Sequence, residues 1–90
     1  MTELRSVVYG CIDAERNFQD KKWGNIHEAP HTLGEWIIIL ESELNEAKAA
    51  IIKGGTGRNT VRQELTQVAA VAVAALEQHG VIEPNEGKWK

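Results

Sequence analysis

Thr32-Leu33-Gly34-Glu35-Trp36-Ile37-Ile38-Ile39-Leu40-Glu41-Ser42-Glu43-Leu44-Asn45-Glu46-Ala47-Lys48-Ala49-Ala50-Ile51-Ile52-Lys53-Gly54-Gly55 decides the fold class. Thr32 and Glu35 have the Thr-x-x-Glu spacing of a capping box, in which hydroxyl and carboxylate each take a backbone N–H left over at a helix start. Ile37, Leu40, Leu44, Ala47 and Ile51 then recur at three- and four-residue intervals, one face of an amphipathic helix. Gly54-Gly55 supplies the stop, because glycine takes the left-handed conformation past a helix end without steric cost. Trp36, early in this helix, is expected in the core or in an interface.

Two more helical blocks flank it. From Thr2 to Gln19, the residues Leu4, Val7, Val8, Cys11, Ile12, Glu15 and Phe18 keep the same period, with Cys11 expected as a small buried residue. Gly10 weakens that helix by ~1 kcal/mol relative to alanine. Residues 20–31 read as a loop punctuated by Gly24 and Pro30, long enough to suggest a functional role. The third helix begins near Asn59 or Thr60, with Thr60 and Gln63 as a second capping box. It runs through Val61, Leu65, Val68, Ala72 and Leu76 to a stop at Gly80. Ala69, Ala70, Ala72, Ala74 and Ala75 make this helix small-faced. They suit either a surface for self-association or a tight crossing within the chain. No segment alternates like a strand. The expected fold is all-α, a small antiparallel helical bundle completed by oligomerisation, with one domain over residues 1–80 and a polar tail over 81–90.

The chain of 90 residues is long enough for one small domain. At this size folding buries only about 60–65% of the unfolded surface, which makes self-association a natural remedy. Lys+Arg 10 against Asp+Glu 13 gives a net charge of -3, so no nucleic-acid partner is expected. One cysteine excludes an internal disulfide and a Cys-based zinc site. No apolar run reaches the ~20 residues of a membrane span, and the first residues lack the pattern of a secretory signal. The expectation is a cytoplasmic protein without a membrane partner.

The chemistry rests on glutamates. Glu43 and Glu46 lie three apart and project about 60° from each other on one side of the helix. Like charges there repel by a few tenths of a kcal/mol, unless a hard cation with oxygen ligands reverses the sign. Across a short turn, Glu64 on an antiparallel third helix can face them. Lys53, Arg58 and Arg62 flank Gly54-Gly55-Thr56-Gly57, either a phosphate cradle at a helix start or a plain turn with solvated bases. Trp23 either stacks on a nucleobase or anchors its loop, and Lys22 is a rival phosphate contact. His27 and His31, bracketing Pro30, lack the spacing of a helical zinc pair.

The stretch from Leu40 to Ala47, followed by Arg62-Gln63-Glu64-Leu65-Thr66-Gln67-Val68-Ala69, resembles the all-α nucleoside triphosphate pyrophosphohydrolases of the MazG-like superfamily. That family carries Glu-x-x-Glu on one helix and Glu-x-x-Asp on the next. Glu15-Arg16 to Trp23-Gly24, and His31 to Trp36, are similar to short MazG-like proteins often encoded by phages. The likeness covers roughly residues 15 to 80. It implies hydrolysis between the α and β phosphates of an NTP or dNTP, giving monophosphate and pyrophosphate. It also implies Mg²⁺ or Mn²⁺ on the motif carboxylates, and a homodimer or homotetramer. By position Glu43, Glu46 and Glu64 match metal ligands, with Glu43 or Glu46 also acting on the attacking water. Gln67 stands where the family has Asp. An amide oxygen is a weaker ligand for a hard cation. That departure leaves open a non-catalytic module binding a nucleotide or a protein.

Overall fold

Thr2 and Thr32 start the first two helices in the same way. Each threonine hydroxyl accepts a hydrogen bond from the N–H three residues on, Arg5 and Glu35 respectively, both at 3.1 Å. Glu35 Oε1 also accepts the Thr32 N–H at 2.7 Å, so the expected capping box is complete. That backbone hydrogen bond leads in holding the Glu35 carboxyl below its usual value. In the computed structural model, which describes residues 2–25, 27–53 and 61–84, the helices are α1 (Glu3–Trp23), α2 (Leu33–Ile52) and α3 (Val61–His79). There is no strand among the described residues. Replacing Thr32 by alanine is expected to lower stability by about 1 kcal/mol. For a domain of this size that is a drop of about 5 °C in Tm, measurable by thermal denaturation.

The helix ends differ from expectation in one place. α1 continues four residues past Gln19 to Trp23, so the loop is shorter than residues 20–31. Lys21 and Lys22 sit in the last turn, where the negative end of the helix dipole favours cations. Arg16 pairs with Asp20 one turn on, at 2.9 Å. Gly24 then takes φ +94° and donates its N–H to Asp20 O. Gly80 ends α3 in the expected manner, with φ +84° and its N–H on Leu76 O at 2.8 Å. The Gly54-Gly55 stop, Arg58 and the Thr60 cap lie outside the described residues.

α3 is the centre of the fold. Among the described residues α1 and α2 each pack on α3, and they do not pack on each other. The core joins Trp36 of α2 to Val71, Ala74 and Ala75 of α3, with Ile39 and Leu40 against it. Ala47 and Ala70 are buried as well. The alanines of α3 therefore make a close crossing within the chain, and Ala70, Ala74 and Ala75 are not a surface for a second copy. The buried side of α2 is rotated from the expected stripe: Ile37, Leu44 and Ile51 stay about half exposed or more. Trp36-Ile37-Ile38-Ile39-Leu40 is apolar all the way round the helix, so periodicity alone does not choose which side turns inward.

α1 departs furthest. Its buried residues are Arg16 and Gln19, while Leu4, Val7, Val8 and Phe18 are exposed. Cys11 is exposed too, not buried as expected. The cause is a polar link between helices. Arg16 Nε donates to Glu77 Oε2 of α3 at 2.6 Å, and satisfying that charge turns the Arg16 side of α1 inward. No helix among the described residues is long and apolar enough to cross a membrane.

Candidate metal centre and adjoining cleft

The buried side of α2 that carries Trp36 and Leu40 also brings Glu43 inward, one turn further along. Glu46 follows on the next turn, at the exposed border. Glu64 enters from the first turn of α3. One carboxylate oxygen from each of the three can be chosen so that all lie within 4.8 Å of one another. The sequence expectation that Glu64 faces the α2 pair is therefore met by the packing of α2 on α3.

This convergence is costly for the bare protein. Glu43 Oε2 and Glu64 Oε2 are buried without a hydrogen-bond partner. Burial pushes the Glu43 carboxyl up to about 7, helped by its hydrogen bond to Glu46 and by the charges of Glu46, Glu64 and Glu15. Glu15 belongs to α1, so a fourth carboxylate from the remaining helix adds to the same negative field. Its Oε2 accepts from Gln19 Nε2 at 3.5 Å.

An all-oxygen set suits a hard divalent cation such as Mg²⁺ or Mn²⁺. An octahedral ion about 2.1 Å from each ligand brings its donors to roughly 3–4 Å from one another. Closing these carboxylates on an ion thus takes side-chain adjustments of about 1 Å. The two partnerless oxygens are what such an ion would satisfy, so the residues fit it. Gln67, three residues after Glu64 on α3, is half-buried and offers a neutral oxygen.

A cleft of about 240 Å³ adjoins the carboxylates, with Glu43 in its lining. Trp36, Ile39, Val71 and Ala74 form its apolar side, and Arg16, Gln19 and Gln78 are among its polar residues. Trp23 stands at its edge, 56% exposed, with Lys22 Nζ 5.0 Å from the centre of its ring. Trp23 is thus positioned at the cleft, and Lys22 is beside it on the surface. Lys53 and Arg62 are exposed at the opposite end of α2 and the start of α3. His31 packs its ring edge-on to Trp36, centroids 4.9 Å apart.

Sequence reasoning missed two residues here. Arg16 is 6% exposed and is held by Glu77, Asp20 and Gln19. Arg16, Gln19 and Asp20 at three- and four-residue spacing form a polar stripe that could have signalled a buried network. Gln78 joins the loop and Trp36 to α3, and nothing in its sequence context announces it. Comparison of the chain with family models, curated proteins and solved structures gave no match.

Proposed function

We propose that the protein is a metal-dependent nucleotide pyrophosphohydrolase that cleaves an NTP or dNTP to monophosphate and pyrophosphate. The observation that carries this reading is the meeting of Glu43, Glu46 and Glu64, two of their oxygens buried without partners, beside a cleft walled by tryptophan. The likeness to the MazG-like superfamily gives the reaction its chemical class. A bound Mg²⁺ or Mn²⁺ would offset phosphate charge and polarise the scissile phosphoanhydride. Glu43, Glu46 and Glu64 hold the ion in this reading. Glu43 or Glu46 also positions or deprotonates the attacking water. The apolar cleft receives the nucleoside, with Trp23 free to stack on a base. Lys22, Lys53 and Arg62 are the described cations for the phosphate chain.

Self-association belongs to the same reading. Among the described residues the buried apolar set is Trp36, Val71 and four alanines, while Ile37, Ile38, Ile51, Ile52 and Leu65 are more than half exposed. A homodimer or homotetramer would cover part of that surface. The lone cysteine suits the reducing cytoplasm expected from the sequence.

Gln67 favours the second reading, a non-catalytic module that binds a nucleotide or protein partner. The test is a panel of NTPs and dNTPs with Mg²⁺ or Mn²⁺, read by ion-exchange chromatography and pyrophosphate detection. Monophosphate and pyrophosphate, lost on adding EDTA, are the expected products. Silence across the panel, with no shift of melting temperature by Mg²⁺, would sink the enzyme reading. Gln67→Asp is expected to tighten Mg²⁺ binding about tenfold by adding one charged ligand, as titration calorimetry would record. Unchanged affinity would place position 67 outside the site.

A further inference from the structure

We infer that Gln78 is a positioning residue for the cleft: it latches the loop before α2 onto the end of α3 and fixes the Trp36 ring that walls the cleft. The inference takes its ligand from the nucleotide reading above, and its geometry stands apart from that reading.

Among the described residues one side chain joins three others. Gln78 Oε1 accepts the His31 N–H at 3.0 Å and the Trp36 Nε1–H at 2.8 Å. Its Nε2 donates to the Ala29 carbonyl at 3.1 Å. The next residue adds a fourth connection, since His79 Nε2 lies 2.8 Å from the His31 carbonyl oxygen. The loop also has hydrogen bonds of its own. Asn25 Oδ1 accepts from the N–H groups of His27 and Glu28, and Glu28 Oε1 accepts from Asn25 N–H. Those bonds shape the loop without joining it to a helix. Among the described residues, its hydrogen bonds to α3 run through residues 78 and 79.

The same oxygen that holds the loop also meets the indole N–H of Trp36, which is only 9% exposed. A buried indole N–H needs an acceptor. The His31 ring, carried by the latched loop, then meets Trp36 edge-on at 85°. Loop position and Trp36 orientation are therefore set together. Ala29, His31, Trp36 and Gln78 all line the cleft.

Gln78→Leu removes all three bonds at similar volume. Gln78→Glu keeps an acceptor for His31 and Trp36 and sets a second oxygen against the Ala29 carbonyl where the amide donated. In the full chain, Gln78→Leu is expected to raise the KM for the nucleotide about tenfold while kcat changes less than about threefold and Mg²⁺ affinity holds. Gln78→Glu should fall between it and wild type. Amide exchange at His31 should quicken, and the near-UV circular dichroism band of the tryptophans should weaken. Wild-type KM in Gln78→Leu would overturn the link to the cleft, and unchanged exchange at His31 would overturn the latch. Should Gln78→Leu not fold, Gln78→Glu decides both. Failure of the wild-type protein to hydrolyse any nucleotide sinks the functional reading alone. The latch then stands or falls on exchange and the near-UV band.

Discussion

Glu43→Gln is expected to reduce nucleotide turnover by about 100-fold or more while making the metal-free protein more stable at pH 8. The two effects share one cause. Folding carries the Glu43 carboxyl from its ordinary value of 4.5 up to about 7, so the folded state prefers the protonated form. The contribution of Glu43 to stability is therefore greatest below about pH 4.5 and is lost as pH rises through about 7. Above that range the bare protein keeps a carboxylate it would rather not hold. Solvent reaches the group, and screening reduces the penalty to about 1–2 kcal/mol. Glutamine keeps the shape and removes the charge, so the penalty disappears along with the ligand. Denaturant titrations of both proteins from pH 5 to 8, without metal, would show wild type losing stability and the variant staying level. Equal slopes would mean that the carboxylates do not converge in solution. Metal binding requires the charged form, so Mg²⁺ affinity of the wild type should rise over the same interval and binding should release a proton.

Glu77→Ala is expected to cost about 2–4 kcal/mol, more than Arg16→Met, although the two substitutions break the same ion pair. The asymmetry follows from burial. The Arg16 side chain is 7% exposed and that of Glu77 is 39% exposed. Removing Glu77 leaves a guanidinium out of water, with Gln19 and Asp20 as remaining partners. Removing Arg16 leaves two carboxylates that water already reaches, and methionine refills the apolar volume of the stem. Urea unfolding at pH 7 would rank the variants. An Arg16→Met protein less stable than Glu77→Ala would show that the guanidinium is hydrated in the folded chain.

Local chemistry was easier to read from the sequence than facing. The Thr32–Glu35 box and the Gly80 stop depend on residues close in the chain, and both form as their chemistry requires. The end of α1 lay four residues further than Gln19, because Lys21 and Lys22 suit a helix C-terminus as well as a loop. Which side of a helix turns inward depends on the neighbours. Ile37 and Leu44 were as good candidates as Trp36 and Ile39, and only the close crossing at Ala70, Ala74 and Ala75 selects between them. The reversal on α1 has the same origin, since a buried Arg16 makes sense only once Glu77 is known to stand opposite. The carboxylate cluster was legible because Glu43 and Glu46 share a helix side and a short connection returns the chain antiparallel. Gln78 was not, because its partners at Ala29, His31 and Trp36 lie more than forty positions away.

Among the described residues α1 and α2 are two leaves on a common spine, since each helix packs on α3 and neither packs on the other. The cleft is the gap between the leaves. Its width is therefore not set by interdigitated side chains, which resist small displacements steeply. Tilting α1 about α3 works against the α1–α3 packing and the Arg16–Glu77 tie, and leaves the Trp36–Val71–Ala74 contacts of α2 and α3 untouched. Bulk at the far end of a guest molecule is thus met by the α1–α3 seam, where the Arg16–Glu77 pair lies. Discrimination falls instead to the rigid leaf, where Trp36 and Glu43 keep a fixed spacing along a single helix.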